Sequence, residues 1–196
     1  MSEGQLASQS NVLRNGKRVV MVNGIPASGK SSIARELATA TGWPILSVDG
    51  IKEPFMRQLE HVDRALNRRL GIASYQAIWS VIANAPQGCT FIVDAWFGFQ
   101  PKENLVSFLH EAQVTAVAEI WCQLPGELAA QRYESRLANR LPGHPGAEYI
   151  PELIALAERA EPMRLGPVYI ADQTKTAEPN NLLNWTREVL STINYK

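Results

Sequence analysis

No apolar run in the chain approaches the ~20 residues that a membrane-spanning helix needs. The first ten residues, MSEGQLASQS, are polar and lack the apolar segment of a signal peptide, so a cytoplasmic protein is expected. Cysteine is scarce. Cys89 and Cys122 both sit in strand-like surroundings, which suits two buried thiols in a reducing compartment and not a disulfide framework. Net charge is missing too: 19 Lys and Arg balance 19 Asp and Glu. Without a global field, neither nucleic acid nor a membrane surface is an expected partner, and any anion site must be local. There is no internal repeat and no linker long enough to divide the 196 residues. The expected organisation is a loose polar tail at 1–16 and one α/β domain at 17–196.

Against these absences, one stretch carries specific chemistry: Val19–Ser32, VVMVNGIPASGKSS. An apolar run ends in Gly24, and Gly24–Ser31 fits G-x-x-x-x-G-K-[ST] at every fixed position. Such a loop joins a buried strand to a helix and turns its backbone N–H groups inward around phosphates. The segment from Gly24 through Ala27, Ser28, Gly29, Lys30, Ser31 and Ser32 is therefore the expected nucleotide cradle. Gly24 and Gly29 allow turn conformations and close approach to an anion. Lys30 brings a mobile charge to the outer phosphates, and the Ser31 hydroxyl is a Mg²⁺ ligand.

Around this loop the pattern alternates. Strands are expected at Arg18–Asn23, Pro44–Val48, Thr90–Val93, Thr115–Cys122 and Pro167–Ala171. Helices are expected at Lys30–Thr41, across Ile51–Ala85 with a division at Gly71, and at Asn104–Ala112. Three more follow at Gly126–Leu141, Pro151–Glu161 and Asn181–Ile193. Apolar strands alternating with helices imply a parallel sheet covered on both faces, with ligands at the carboxyl ends of the strands.

Two strands deliver acids there. Asp94, after Phe91-Ile92-Val93, has the form of a magnesium-holding residue; the blander role is a strand-end cap. Asp49 has the same form on the neighbouring strand and is assigned to the acceptor, whose hydroxyl proton it takes or positions; Asp49-Gly50 is also good turn chemistry. Residue 95 is Ala, where motor-type ATPases place a water-activating Glu. The GTPase spacing D-x-x-G is missed by one residue, and no N-K-x-D follows. Transfer to a bound acceptor is thus favoured over hydrolysis. Arg132, Arg136 and Arg140 recur every four residues, as on one stripe of a lid helix over the nucleotide, with a solvated basic face as the alternative. The lid spans about 132–146 and ends in LPGHPG, where His144 reads as a loop residue. The insertion at about 50–88 is where small kinases bind their acceptor. Its Arg64, Arg68 and Arg69 read either as an anion grip or as a solvated face, and the aromatics of DAWFGF as an acceptor wall or as core.

With these residues assembled, the chain resembles the P-loop small-molecule kinases, the group that includes chloramphenicol phosphotransferase-like proteins, zeta toxins and gluconate kinase-like enzymes. The resemblance covers about Arg18–Thr174, through GIPASGKSS, SVDG, FIVDAWF, RLPGHP and PVYIADQT. It implies a P-loop NTPase α/β/α sandwich with strand order 2-3-1-4-5, ATP with Mg²⁺, and the strand-two acid, here Asp49, as catalytic base. It further implies Arg132 and Arg136 on the phosphates, and adenine near Asp172–Thr174, with Gln173 among the nucleotide contacts. The expected activity is phosphorylation of a hydroxyl on a sugar, polyol, sugar acid or antibiotic. A nucleoside or nucleotide kinase and a nucleotide-binding regulatory or toxin-related protein are the alternatives, and a homodimer is compatible with each.

Overall fold

The computed structural model describes residues 16–175 and 179–192. Of the tail expected at 1–16 only Gly16 lies among them, and Ile193 also falls outside. Five strands, Lys17–Asn23 (β1), Ile45–Ser47 (β2), Thr90–Asp94 (β3), Val114–Gln123 (β4) and Val168–Asp172 (β5), form an all-parallel sheet in the order β2-β3-β1-β4-β5. This is the order that the resemblance implies. The helices are Lys30–Thr41 (α1), Val48–Met56 (α2), Arg64–Asn84 (α3), Lys102–Glu111 (α4), Gly126–Glu134 (α5), Ile150–Arg159 (α6) and Pro179–Thr192 (α7).

β1 is flanked on both sides, and its Val19–Val22 run is fully buried, as a strand covered on both faces must be. Alternate side chains feed different layers. Val19 and Met21 pack with Tyr75, Ile78 and Ile82 of α3 and Leu105 and Leu109 of α4. Val20 and Val22 pack with Ile33 and Leu37 of α1 and Leu182 of α7. Each such fully buried aliphatic contributes roughly 1.5–3 kcal/mol. The parallel register sets Val22 level with Asp94 on β3 and Asn23 level with Trp121 on β4, so the carboxyl ends of three strands meet at Gly24.

Three expected elements fall differently. The long helical region divides at 57–63 and not at Gly71, which lies inside α3. Asp63 caps α3 by accepting the Leu66 N–H at 2.7 Å, a strong start signal, whereas a single Gly costs only about 1 kcal/mol in a helix this well buried. The second strand is short, and Asp49 lies in the first turn of α2 and not in a strand-end turn; Ser47 caps that helix by accepting from Gly50 N–H at 2.9 Å. The arginine-bearing helix stops at Glu134, and a 3-10 turn at Leu137–Asn139 replaces its expected continuation.

At the other end of the sheet, Lys17 is 2% exposed and its Nζ donates to the carbonyls of Ala83 (2.6 Å) and Ala112 (3.1 Å). These close α3 and α4, where helix dipoles favour a cation. Lys17→Met keeps the apolar stem and removes both donors. It should lower unfolding free energy by roughly 1–3 kcal/mol in urea titration; wild-type stability would contradict that role.

Candidate active site

The loop between β1 and α1 is held open by its glycines. Gly24 has φ +152°, and a Cβ there would stand 2.5 Å from Ser28 Oγ and 2.9 Å from the Cys122 carbonyl. Gly29 has φ +91°, and a Cβ there would stand 2.3 Å from Gln173 Oε1. Ala27 takes the left-handed conformation without being glycine (φ +64°), a strained geometry of the kind found at ligand-binding turns. Gly29 also occupies the N-cap of α1 and provides no side-chain cap. The N–H groups of Gly29, Lys30 and Ser31 reach no acceptor among the described residues, while those of Ser28 and Ser32 close turns onto Ile25 and Gly29. Ser28 Oγ is likewise buried without a partner among them. Convergent orphan donors at a helix N-terminus fit an anion such as a nucleotide phosphate.

The cations and acids gather on this loop. Lys30 Nζ donates to the Ile25 carbonyl at 2.8 Å, folding its charge over the loop. Burial lowers its pKa below the ordinary lysine value; Asp94 and Asp49 pull it back up, and nearby Arg136 lowers it further. Ser31 Oγ donates to Asp94 Oδ2 at 2.7 Å, joining the two expected metal ligands. Asp94 is 8% exposed, and burial raises its pKa against the pull of Lys30 and Ser31. Among the described residues no group of three or more His, Cys, Asp and Glu could hold a metal. A hydroxyl with one carboxylate is the hard-oxygen set of a Mg²⁺ that also needs phosphate and water.

Arg132 donates to the Gln173 carbonyl at 2.8 Å, and Gln173 N–H in turn donates to Gln123 at 2.9 Å. Arg132, Gln173 and Gly29 thus meet over the loop. With α5 ended at Glu134, the three arginines do not share one helical stripe. Arg136 is exposed, its guanidinium bonds to nothing among the described residues, and it acts on Lys30. Arg140 turns the other way: it lies 4.7 Å over the Tyr133 ring and contacts His144 Nδ1 at 3.0 Å.

That second direction leads to Asp49. Its side chain is 60% exposed at the cleft, paired with Lys52 Nζ at 2.9 Å. The surrounding walls would raise its pKa, but Lys52, His144 and Arg140 together hold it below the usual aspartate value, so it is ionised at neutral pH. Lys52 is 6% exposed and also contacts Asn67 Oδ1 at 3.4 Å, while Asn67 Nδ2 donates to the Gly143 carbonyl. His144 Nε2 lies 3.2 Å from Glu53, and Tyr133 Oη donates to the Pro145 carbonyl at 2.7 Å. The segment Leu141–Gly146 is therefore docked onto α2 and α3. His144, read in the sequence as a loop residue, is the hub of that docking. Lys52, Glu53 and Asn67 carried no local signal of it.

The basic candidates lie on a solvated face, and the aromatic ones in or against the core. Arg64 pairs with Glu152 at the surface, and Arg68 and Arg69 are exposed on α3. Phe97 is buried in the main core and Phe99 packs half-buried against it, both edge-on to Tyr75 at 6.0 and 5.1 Å between ring centroids. A cavity of about 410 Å³ lies behind the loop among Ile25, Trp121, Leu124, Ala157 and Asp172. None of Gly29, Lys30, Ser31, Asp49 or Asp94 lines it, so it is a neighbour of the phosphate-binding face and not part of it.

Comparison with known proteins agrees with this geometry. Residues 19–152 match the family described as an AAA domain. A candidate kinase from Chloroflexus aurantiacus is similar at 25% identity and a TM-score of 0.74, over 90% of this chain and 99% of that one. A sugar kinase from Janibacter sp. shares the fold at 22% identity and TM-score 0.51, over 90% and 94%. Deoxyadenosine kinase from M. mycoides shares it at 14% and 0.54, over 88% and 99%. The fold is thus that of P-loop kinases. No curated protein sequence matches the chain. Among the described residues no helix is long and apolar enough to cross a membrane.

The docking of His144 has a sign. Arg140 can only donate, so Nδ1 holds a lone pair and Nε2–H donates to Glu53, which is the neutral ring. Burial lowers the His144 pKa from 6.5, and Lys52 and Arg140 add to it against Asp49 and Glu53. An undocked loop then binds a proton more tightly, so docking is strongest above pH 6.5 and weakens as pH falls. Proteolytic nicking at 136–146 should accelerate between about pH 8 and about pH 5 in the wild type, but not in His144→Gln. Identical pH dependence in both would contradict this.

Proposed function

The chain belongs to the AAA-domain family, matched over residues 19–152, and on that premise we propose that it is an ATP- and Mg²⁺-dependent phosphotransferase acting on a hydroxyl of a small polar molecule. One observation carries the reading. Two carboxylates on different elements both act on the charge of Lys30: Asp94, bonded to Ser31 at 2.7 Å, and Asp49, paired with Lys52 at 2.9 Å. A hydrolase needs only one such acid and a base for water. Here the residue after Asp94 is Ala95, 3% exposed, which activates no water.

The roles follow from position. The Gly29, Lys30 and Ser31 N–H groups and the α1 dipole hold the phosphates, with Lys30 on the outer ones. Ser31 and Asp94 would hold Mg²⁺, which would supply positive charge to offset that of the phosphates. Arg136 faces the transferring group and stabilises charge that grows as the bond to the leaving diphosphate breaks. Asp49 orients the acceptor O–H and accepts its proton as the new O–P bond forms. Arg132 and Gln173 bound the place of the adenine base. With Phe97 in the core and Phe99 packed against it, the polar groups offered to the acceptor are Asp49, Lys52, Asn67 and the docked His144 loop. That polar set suits a sugar, polyol or sugar acid better than an apolar antibiotic.

The test is acceptor-dependent ADP release with a panel of sugars, sugar acids and nucleosides. Asp49→Asn should lose ~10²-fold in turnover, because the base in a loose transition state works mainly by positioning. ATP affinity should barely change. Lys30→Ala should lose on the order of 10²–10³ in rate with the fold intact. Unimpaired transfer by folded Asp49→Asn would remove Asp49 from the chemistry. ADP release indifferent to every acceptor would favour the nucleotide-binding regulatory alternative, and a preference for nucleosides the nucleoside kinase.

A further inference from the structure

Behind the phosphate loop lies a polar pair that none of these roles uses. Glu119, in the middle of β4, is 0% exposed, and no Lys, Arg or His side chain pairs with it among the described residues. It is satisfied instead by three N–H donors: Asn23 Nδ2 (2.7 Å), Met163 N (2.8 Å) and Arg164 N (2.8 Å). Arg164 is held at φ +52°, a left-handed conformation that non-glycine residues rarely adopt, as it presents its N–H to the carboxylate. A carboxylate placed in a sheet interior without a cation is costly unless its donors are fixed, so its geometry is rigid by necessity.

Asn23 passes that rigidity forward. It is the last residue of β1 and is also 0% exposed. Its Oδ1 accepts the Gly24 N–H at 2.8 Å and the Phe97 N–H at 3.2 Å. The first is the entry of the phosphate loop. The second belongs to the turn that leaves Asp94, the residue bonded to Ser31. One amide oxygen thus joins both halves of the metal and phosphate site, and Glu119 fixes the orientation of that amide.

We propose that Asn23 and Glu119 are positioning residues, a buried pair that sets the phosphate loop and the Asp94 turn in the register that Mg²⁺ and nucleotide require. This rests on the nucleotide-site reading above. In Glu119→Gln the new N–H₂ faces Asn23 Nδ2 and the Met163 N–H if it takes the place of Oε1, or the Arg164 N–H if it takes the place of Oε2. In the first case the bond to Asn23 is lost; in the second a neutral amide oxygen replaces the charged acceptor and holds Asn23 more weakly. In the reversed pair Asn23→Asp/Glu119→Gln, the amide at 119 donates to the carboxylate at 23, whose other oxygen still serves Gly24 and Phe97; the amide oxygen keeps the Arg164 N–H, and only the Met163 N–H gives up its acceptor.

The experiment is calorimetric titration of ATP, with and without magnesium, into wild type and both variants, alongside melting temperatures. Glu119→Gln should bind ATP in magnesium about tenfold more weakly, as loss of outer-shell partners does at metal sites, and the reversed pair should return to within about threefold of wild type. A folded Glu119→Gln with wild-type affinity and only a lower melting temperature would overturn the proposal, reducing Glu119 to a clip for residues 163–164. A reversed pair no better than the single variant, or unable to fold, would overturn it too. If Glu119→Gln alone fails to fold, the reversed pair decides by the same affinity. Wild type that does not bind ATP at all would remove the nucleotide site itself, an outcome distinct from wild-type-like binding by the variants.

Discussion

The functional edge of this protein depends on one constraint: the first turn of α1 is left without internal partners. Gly29 caps it with no side chain, and the N–H groups of Gly29, Lys30 and Ser31 have no acceptor among the described residues. A folded chain tolerates such orphan donors where an anion satisfies them. The rest of the edge supports that opening. β1 ends there between β3 and β4, Ser31 reaches Asp94, Gln173 crosses Gly29, and the arginines approach from α5 and the turn beyond it. Behind the loop stand the fully buried Val19–Val22 run of β1 and the buried Asn23 side chain, which accepts the Gly24 and Phe97 N–H groups.

A second constraint shapes the acceptor side. Lys52 is almost fully buried and needs its two oxygen partners, Asp49 and Asn67. Asn67 in turn holds the Gly143 carbonyl, and His144 holds Glu53 and Arg140. The loop after α5 is thereby tied to the helices that carry Asp49. Arg140, α2 with its Asp49, and α3 are linked through one short segment, Leu141–Gly146.

What the sequence made legible is local. The phosphate loop has a fixed spacing, the β1 apolar run declares a buried strand, and Asp94 follows three apolar residues, so each is visible within a short window. Sheet order came from the resemblance, and the structure agrees. What escaped is set by contacts between distant residues: Glu53 and His144 are 91 apart, Asn67 and Gly143 are 76 apart, and Asn23 and Glu119 are 96 apart. No periodicity encodes such pairs. The helix errors have a different origin. Gly71 reads as a divider in the sequence yet lies inside α3, which starts at the capping Asp63, and the four-residue arginine period reads as one helix although that helix ends at Glu134. DAWFGF looked like a site wall because aromatic residues suit cores and pockets equally; only the packing on Tyr75 separates the two.

The protein is proposed to transfer a phosphoryl group to an organic hydroxyl and not to water, with Ala95 where a water-activating Glu would follow Asp94. ATP labelled at its terminal phosphoryl group, incubated with the protein, magnesium and a pool of sugars, polyols and sugar acids, addresses that claim directly. The account predicts label in an organic phosphate ester. Label that appears only as inorganic phosphate, at the same rate with and without the pool, would contradict it.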